Sequence, residues 1–540
     1  MSDMAGGRFL SMFAYALLCV LWCLGRSVVD AQATKPNILF MYVDDVSPRE
    51  LRMYDAPAWV GKKTVESDEE RFRAKTPTLD MMAREGMYFT KAWAAPVCSP
   101  SRAMFMTGRF AHLTKWWYNQ DYGTFTNADG ETEKYVPLYL TSPILVGHLA
   151  QQAGYKTLWA GKPGMKTADL REFGFDEGVF LPNAAFKPPS PYSPEFVVKN
   201  EVRDGKRVKV NNDTGEIVEN GLSERSYFWK PHIDLMNFPG TTEDFTYWPH
   251  TAELQAEYGL STYGPDVESE SIINFMTRSH EQKKPFFIFH NSKLGHKAFN
   301  FIQPEKGLNY PPTPKLYWNE RRQMYNRLDV TITGSNGVYE TEGINNGGLN
   351  RHIEYCDYML WQYVEHLKDL RIINNTIIIF ASDNGTPEWG KGSRERQRGP
   401  HIPMVIYAPG MNLAKQGRQD VLVHVVDMLP TFADIMGVEH LLDGYATQGK
   451  NLWPYLITAK PNHRVYLYSY IRGLQQIRGR LVMRDMNNDW WKVDEEVDDY
   501  DSYPLITDWD ALPAKFRGER DNLIRIMGKF DLYETEHDYI

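Results

Sequence analysis

Cysteine is scarce in this sequence, with only four among 540 residues. Cys19 and Cys23 lie in an apolar stretch near the N-terminus, which leaves Cys98 and Cys356 for the rest of the chain. A disulfide framework normally needs more cysteines, so a protein held together by several disulfides is excluded. Cys98 and Cys356 could still pair in an exported protein. Cys356 falls in an amphipathic helical pattern, which predicts a packed side chain. Cys98 lies in a polar turn, which favours a reactive role.

Positively charged residues are fewer than negatively charged ones. The sequence has 60 Lys and Arg against 69 Asp and Glu, a formal net charge of -9. Nucleic-acid binding relies on a basic excess that neutralises phosphates, so we predict no nucleic-acid partner. A single anionic group on a substrate is not excluded, because a few nearby cations dominate over distant, screened charges.

The N-terminal apolar run is too short for a typical membrane span. It covers residues 9–24, whereas a spanning helix needs ~20 apolar residues. Arg8 precedes the run, and Ala31-Gln32-Ala33 follows it with the small-x-small pattern of a signal-peptidase site. We therefore predict a signal peptide over residues 1–33, a secreted or periplasmic protein, and no stable membrane insertion. Retention of the segment as an anchor is the alternative.

Apolar runs alternate with amphipathic patterns along the chain. Continuous apolar runs predict buried strands, and apolar residues at three- and four-residue spacing predict helices. The alternation indicates an α/β fold, which we expect to be a large α/β/α sandwich around a mixed central sheet. The predicted strands cover residues 36–45, 157–161, 285–289, 376–383 and 404–407, and the predicted helices cover residues 77–85, 145–153, 267–280 and 351–367.

Two changes of composition divide the chain further. Residues from about 170 to 284 are rich in Pro, aromatic and polar residues and have weak periodicity until their last helix, which favours a long insertion. After residue 449, the patterns at 465–470 and 481–484 favour short antiparallel strands. We therefore predict a main domain over residues 34–450, and a smaller C-terminal domain with a short antiparallel sheet over residues 451–540.

Charged residues follow several of the predicted strands. Asp44 and Asp45 end the first run, Asp383 ends another, and Lys162 and His296 follow two more. In open α/β sheets, reactive groups collect in the loops at the carboxyl edge. We therefore expect these five side chains to lie together, although each of them alone would more often be a solvated loop charge.

The strongest local signal is Cys98-x-Pro-Ser-Arg102, followed by Thr107-Gly-Arg109. It resembles the signature of type I formylglycine-dependent sulfatases of the alkaline phosphatase superfamily. That signature directs oxidation of the cysteine to formylglycine (3-oxoalanine) by a separate maturation enzyme. The resemblance spans nearly the whole predicted mature chain, and its other matched features are Asp44-Asp45, Gly161-Lys162, His296, Asp383-Asn384-Gly385 and Gly390-Lys391-Gly392.

The resemblance implies a catalytic role for five of these residues. The hydrate of formylglycine 98, made from Cys98, is the sulfate acceptor, and Arg102 holds that hydrate. Lys162 and Lys391 bind sulfate oxygens and stabilise the developing charge. His296 is the acid that protonates the leaving alcohol.

The resemblance also implies a bound Ca²⁺ ion. Its implied ligands are Asp44, Asp45, Asp383, Asn384 and the modified Cys98. Carboxylate and amide oxygens suit a hard cation such as Ca²⁺, whereas zinc favours His and Cys. Asn384 also begins a glycosylation sequon, but a glycan would not fit at a metal site. Asn212 begins a second sequon.

Two departures from the family pattern stand out. The family usually has Gly-Lys-Trp-His where this sequence has Gly-Lys-Pro-Gly, so Gly164 replaces a His that is thought to help release sulfate. Either another base such as His401 or His112 takes its place, or turnover is slow. Residues 398–403 also differ from the family's Gly-Gly-x-Arg-Val-Pro, which affects the expected substrate pocket.

Three functions are compatible with these residues. The leading hypothesis is hydrolysis of sulfate esters, on a sulfated polysaccharide or its oligosaccharides of the kind found in marine algae. The first alternative is a phosphodiester or phosphonate ester hydrolase of the same superfamily. The second is a non-catalytic carbohydrate-binding relative. Aromatic residues of the predicted insertion either present platforms for sugar rings or pack against the domain: Tyr192, Phe228, Trp229, His232, Tyr247, Trp248 and His250.

Overall fold

A mixed sheet of eleven strands runs through the part of the chain that the structure describes. The structure is a computed structural model, and it describes residues 35–533 except 60–65, 68, 70–71, 166–168, 182–197, 212–214, 216, 218–224, 230, 259–260, 300–301, 303–307, 336–337, 461–463, 494–501 and 531–532. The predicted signal peptide lies outside these residues. The strands are β1 (Asn37–Val43), β2 (Met87–Trp93), β3 (Lys156–Gly161), β4 (Glu177–Phe180), β5 (Ile233–Met236), β6 (Phe245–Trp248), β7 (Phe286–Asn291), β8 (Thr376–Ser382), β9 (His401–Ile402), β10 (Met404–Tyr407) and β11 (Gly417–His424).

The middle of this sheet is parallel and its flanks are mixed. The strand order is β6-β5-β4-β3-β7-β1-β8-β10-β2-β9, with β11 beside β2. β1 is parallel to both β7 and β8, and β3 continues the parallel set. β10 and β5 pair antiparallel with their neighbours β8 and β4. The carboxyl ends of β1, β3, β7 and β8 therefore meet at one edge of the sheet.

Helices cover both faces of the sheet. They are α1 (Pro77–Glu85), α2 (Cys98–Thr107), α3 (Ala111–Thr114), α4 (Leu138–Thr141), α5 (Val146–Gln152), α6 (Arg225–Phe228), α7 (Ala252–Tyr258), α8 (Gly264–Glu281), α9 (Leu349–Asp369), α10 (Met428–Met436), α11 (Trp453–Thr458) and α12 (Ala514–Met527). Short 3₁₀ turns cover Pro48–Glu50, Arg52–Tyr54, Leu170–Phe173, Ile373–Asn375, Val425–Asp427 and Glu439–Leu442.

Strand β1 separates two hydrophobic cores. Successive side chains of a strand point to opposite faces, so Phe40 and Tyr42 join one core while Leu39 and Met41 join the other. Helices α2, α5 and α10 pack in the first core, and α1, α8 and α9 pack in the second. The predicted α/β/α sandwich around a mixed sheet is confirmed.

A small antiparallel sheet follows the main one, as predicted. Its strands are β12 (Leu467–Ile471), β13 (Leu474–Arg478), β14 (Val482–Arg484) and β15 (Trp490–Lys492), paired in that order. Ser469 of β12 donates a hydrogen bond from its hydroxyl to the carbonyl of Ala94, at 2.9 Å. The domain boundary near residue 450 stays a prediction.

Short two-stranded ribbons occupy several loops of the described chain: Ala58–Trp59 with Glu66–Ser67, Phe125–Thr126 with Thr132–Glu133, Val198–Arg203 with Lys206–Asn211, Ala298–Phe299 with Leu308–Asn309, Thr313–Pro314 with Ile344–Asn345, Leu316–Asn319 with Met324–Arg327, and Thr331–Ser335 with Val338–Glu342. The predicted insertion at 170–284 contributes β4, β5 and β6 to the main sheet. Among the described residues, no helix combines the length and apolar character of a membrane span.

Candidate active site

Helix α2 begins at Cys98 and carries two of the predicted site residues. Cys98 and Arg102 are four positions apart, so they lie on the same side of the helix. The helix is held against the sheet by Phe105, whose ring lies 4.5 Å from that of Phe40 and 4.7 Å from that of Phe289. This packing places the first turn of α2 at the carboxyl edge of β1.

The rest of the cysteine motif shapes the helix. The Ser101 hydroxyl accepts a hydrogen bond from the Ala95 amide at 2.9 Å, which fixes the turn before α2. Gly108 ends the helix at φ +64°, a left-handed conformation that favours glycine. The Arg109 guanidinium donates to the Thr141 carbonyl at 2.6 Å, and these contacts are structural.

Arg102 joins two carboxylates inside the protein. Its Nη2 atom lies 2.7 Å from Asp44 Oδ1 and 2.7 Å from Asp383 Oδ2, and all three side chains are fully buried. Burial alone would raise the pKa of Asp44, but Lys162 and Arg102 outweigh it and hold that pKa well below its usual value. Burial and the nearby Asp44 raise the pKa of Asp383. The three residues therefore form one charge network.

Two lysines and an asparagine complete the cluster. Lys162 Nζ lies 3.0 Å from both carboxylate oxygens of Asp44, and Lys391 Nζ lies 2.8 Å from Asp45 Oδ2. Asn384 donates to Asp45 Oδ1 at 2.7 Å. Burial opposes the charge on Lys391, but neighbouring anionic groups raise its pKa well above the usual value. Each ammonium group has three donors, so it can contact an anion in addition to its carboxylate partner.

His296 lies at the rim of the same cluster. Its Nε2 atom is 3.9 Å from Asp45 Oδ2, and its Nδ1 is 2.6 Å from the Lys297 carbonyl oxygen. Burial, followed by the charges of Lys293 and Lys391, holds the pKa of His296 well below its usual value. In this state the imidazole is neutral.

A glycine before His296 allows its backbone to approach β1. Gly295 has φ +100°, and a Cβ there would lie 1.9 Å from the Asp44 carbonyl oxygen. The Gly295 amide donates to His352 Nδ1 at 3.3 Å. His352 is fully buried and its Nε2 lies 2.8 Å from the Pro311 carbonyl oxygen. Gly295 and His352 therefore fix the position of His296.

The acidic part of the cluster fits a hard cation. Ligand atoms of Asp44, Asp45, Cys98 and Asp383 all lie within 4.8 Å of one another. The side-chain oxygen of Asn384, Oδ1, is buried and has no hydrogen-bond partner among the described residues, although the side-chain nitrogen donates to Asp45. A bound cation would satisfy this oxygen, and oxygen-rich donors are those that Ca²⁺ prefers.

Cys98 faces the cations of the cluster. Burial alone would raise the pKa of its thiol, but Lys162 and Lys391 outweigh burial and lower the pKa below the usual value. The thiol is not part of a disulfide, and neither is that of Cys356. All nine predicted site residues therefore come together: Asp44, Asp45, Cys98, Arg102, Lys162, His296, Asp383, Asn384 and Lys391.

Asn119 is a site residue that the sequence patterns did not indicate. Its side-chain nitrogen, Nδ2, lies 3.6 Å from Cys98 Sγ, and its side-chain oxygen, Oδ1, accepts a hydrogen bond from the Ser99 backbone amide at 3.1 Å. The residue lies in a loop 21 positions after Cys98, outside any motif. Its position depends on how the loop folds back, so only the structure reveals it.

Gly164 lies against the cluster, with a left-handed backbone conformation at φ +60°. A Cβ there would lie 3.6 Å from Arg102 Cδ and 3.9 Å from Lys162 Cε, both ordinary contact distances. The two proposed substitutes lie elsewhere. His401 Nε2 is 2.7 Å from the Thr90 carbonyl oxygen, and the His112 ring packs near Phe530.

Of the aromatic residues considered as sugar platforms in the predicted insertion, those that the structure describes are buried or, for Tyr247 and His250, half-buried. Phe228, Trp229 and Trp248 are buried, with Trp229 donating to the Pro312 carbonyl at 3.1 Å. Buried rings cannot present a face to a sugar, so these three pack the fold. His232 is also buried, and Tyr192 and the Asn212 sequon lie outside the described residues.

The family model described as Sulfatase matches residues 36–438 of this chain. This match covers well over half of the sequence. The chain belongs to the sulfatase family. Its enzyme class is that of a sulfuric ester hydrolase. The matched range includes all nine residues of the cluster.

Several named sulfatases are similar over most of their length. Human N-acetylgalactosamine-6-sulfatase is 31% identical over 460 residues, which cover 80% of this chain and 68% of the relative. Human iduronate 2-sulfatase is 24% identical, covering 80% and 75%. An endo-4-O-sulfatase of Bacteroides thetaiotaomicron is 21% identical, covering 81% and 76%.

Solved structures share the fold of this sulfatase. The crystal structure of Ps i-CgsB aligns with a TM-score of 0.57 and 19% identity, over 93% of this chain and 96% of the other. The PsFucS1 sulfatase from Pseudoalteromonas sp. aligns with a TM-score of 0.57 and 18% identity, over 94% of each chain. These likenesses support the α/β sandwich with its small C-terminal sheet.

Proposed function

We propose that this sulfatase hydrolyses sulfate esters of glycans through a formylglycine made from Cys98. The observation that carries the proposal is the arrangement around Cys98, where two ammonium groups and a buried carboxylate cluster surround the side chain. Cations at this position neutralise a sulfate group and the charge that develops on it. The Sγ atom occupies the place of a hydroxyl oxygen of the hydrated formylglycine.

The first chemical step transfers sulfate to the protein. One hydroxyl of the hydrated formylglycine gives its proton to a carboxylate of the cluster and attacks sulfur, while the bond between sulfur and the sugar oxygen breaks. Lys162 and Lys391 hold sulfate oxygens, and His296 gives a proton to the leaving alcohol. Burial depresses the pKa of His296 most, and nearby lysines add to this effect; an anionic substrate offsets the lysine charges and so raises the pKa toward the protonated imidazole.

The second step releases sulfate and regenerates the aldehyde. The remaining hydroxyl loses its proton, the bond between formylglycine carbon and the sulfate oxygen breaks, and water then rehydrates the aldehyde. Gly164 stands where the family has a His, so the proton passes to solvent or to another group. We therefore propose that sulfate release is slow relative to the first step.

Calcium fits the acidic side of the cluster. Asp44, Asp45, Asp383 and Asn384 would hold it with oxygen atoms, together with the modified residue 98. When bound, the ion supplies positive charge that polarises a sulfate oxygen. Arg102 keeps Asp44 and Asp383 in place through its two ion pairs.

The substrate class follows from the family and the relatives. Relatives of this chain are named for sulfated sugars such as N-acetylgalactosamine and iduronate. We propose a sulfated polysaccharide or its oligosaccharides as substrate, and a formylglycine-generating enzyme as the maturation partner. We also propose that the chain is exported.

The test is sulfate release by enzyme co-expressed with a maturation partner. Ion chromatography would measure free sulfate from sulfated algal and animal polysaccharides and from an aryl sulfate. We expect release from at least one glycan, and loss of release in Cys98→Ala. Mass spectrometry of the peptide containing residue 98 would establish the modification.

Three other results would contradict the proposal or part of it. Hydrolysis of phosphonate or phosphodiester substrates without sulfate release would assign the alternative phosphorus chemistry. Glycan binding without any hydrolysis, in protein with confirmed formylglycine, would assign a binding role. Rapid cleavage of aryl sulfates with no glycan cleaved would contradict the glycan substrate.

A further inference from the structure

A cavity of about 300 Å³ lies next to the sulfate-binding lysine. Lys391 is part of its wall, and the same residue binds Asp45 inside the cluster. A sulfate held by Lys391 would therefore leave the attached sugar close to this cavity. The cavity is formed mainly by the loop that follows β8, with Asn487 of the C-terminal region on the other side.

Most charges along this cavity have partners. Arg398 pairs with Glu395 at 3.0 Å, and Glu388 pairs with Lys297. The Arg398 guanidinium also lies 4.1 Å from the ring centroid of Trp389. These contacts hold the wall of the cavity and neutralise its acidic side chains.

Arg394 is different from these residues. Its backbone carbonyl accepts a hydrogen bond from the Met486 amide at 3.1 Å, which fixes the main chain. Among the described residues, its guanidinium has no carboxylate partner, and it lines the cavity from an exposed position. A guanidinium presents several donors in a rigid fork that matches planar oxyanions.

We propose that this cavity binds a second oxyanion of the substrate, held by the Arg394 guanidinium. The ligand is a carboxylate or a further sulfate, on the sulfated sugar or on the ring next to it. A neutral sugar would leave the cation uncompensated, whereas an oxyanion pairs with it. The inference rests on the proposed function and narrows its substrate to glycans with two close anionic groups.

The experiment compares fragments of the glycan that releases sulfate in the panel above. One oligosaccharide carries only the scissile sulfate, a second carries an additional sulfate, and a third carries a uronic acid. The third is also tested after carboxyl reduction to the alcohol. Values of kcat and KM are measured for wild type, Arg394→Gln and Arg394→Lys.

We expect wild type to prefer a substrate with two oxyanions. This preference is measured as kcat/KM for the substrate with two oxyanions divided by kcat/KM for the single-sulfate substrate. Arg394→Gln should lower this ratio about tenfold, mainly through a higher KM for the substrate with two oxyanions. Arg394→Lys, which keeps the charge without the fork, should lower it less. If Arg394→Gln lowers the preference for the substrate with an additional sulfate, the bound oxyanion is a sulfate. If it lowers the preference for the uronic acid substrate, the bound oxyanion is a carboxylate.

A matched control removes the same charge far from the site. Arg84 is exposed on α1, near the opposite edge of the sheet, and Arg84→Gln should leave the ratio as in wild type. A ratio in Arg394→Gln within twofold of wild type would overturn the subsite while leaving the proposed function intact. Absence of sulfate release by wild type would instead overturn the proposed function.

Discussion

At the scale of single residues, the site depends on side chains that no motif contains. Asn119 approaches Cys98 from a loop, and His352 supports Gly295 from α9. Both act on residues that the sequence did indicate. They show how a motif residue acquires its position from contacts distant in sequence.

Asn119 should contribute to the reaction of residue 98. In the matured protein its amide is placed to donate to a hydroxyl of the hydrated formylglycine, at the position of Cys98 Sγ. We expect Asn119→Ala to lower kcat about tenfold, the effect of one lost hydrogen bond to a reacting group. Asn119→Asp should lower it further, because a carboxylate repels sulfate. Sulfate-release kinetics would measure this, and an unchanged kcat in Asn119→Ala would contradict it.

His352 should make stability depend on pH. Burial lowers its pKa to about 4, compared with the usual value of 6.5 for histidine. The unfolded chain therefore binds more protons between these values, and stability is lost as the pH falls through this window. Relative to His352→Gln, wild type should lose about 2 kcal/mol of unfolding free energy between pH 7.5 and pH 5.

Denaturant unfolding of wild type and His352→Gln at both pH values would measure this difference. Glutamine keeps an amide donor and acceptor but does not titrate. An equal pH dependence in the two proteins would show that His352 does not contribute. Other buried groups titrate in both proteins, and their contribution cancels in the comparison.

At the scale of elements, α1 and α9 are linked by a buried carboxylate. Asp357 of α9 accepts from the amides of Thr78 and Leu79 in the first turn of α1, at 3.1 and 2.6 Å. The Tyr325 hydroxyl donates to the same carboxylate at 2.5 Å. One side chain therefore satisfies two amides that the helix itself leaves without partners.

Removal of this carboxylate should destabilise the protein. Asp357→Ala leaves the two amides and a phenol without partners, and we expect a loss of about 2–4 kcal/mol in the free energy of unfolding. Asp357→Asn, which keeps one acceptor oxygen, should lose less. Denaturant unfolding would rank the three proteins, and equal stability would contradict the capping role.

Several strands in the middle of the main sheet were predictable from sequence. The runs predicted at 376–383 and 404–407 became Thr376–Ser382 and Met404–Tyr407, because strands buried on both faces are continuously apolar. Five site residues were predictable because they follow strands that end at one edge: Asp44, Asp45, Lys162, His296 and Asp383. The other four, Cys98, Arg102, Asn384 and Lys391, were indicated only by the resemblance to the sulfatase signature. Six strands of the main sheet were missed. Strands β4–β6 and β9 are short, and β2 and β11 carry polar residues among their apolar ones. No sequence pattern indicated that Asn119 is a site residue.

At the scale of the whole molecule, the proposed calcium ion links the site to stability. The cluster contains three carboxyl groups and a buried oxygen without a partner. An ion that binds the folded state but not the unfolded state stabilises it, by about 2.7 kcal/mol at 100 times Kd. The proposed ligands follow β1 and β8, so the stabilisation by the ion extends to the centre of the sheet.

Calcium should therefore raise the melting temperature of chelator-treated protein. Differential scanning fluorimetry across a calcium titration would measure the rise, with magnesium as the comparison ion. Asn384→Ala should shift the response to higher calcium concentrations, because one oxygen ligand is lost. A melting temperature that does not respond to calcium would contradict this assignment without reference to activity.

The ion pairs of Arg102 join parts of the chain that are far apart. Arg102 and Asp383 are separated by 281 residues, and the Asp45 amide bonds to Asp383 across 338 residues at 3.0 Å. Contacts at such separations form late in folding, because the intervening chain must first be ordered. Recovery of activity during refolding would thus lag behind recovery of helical structure, and catalysis would serve as a reporter of completed assembly of the sheet.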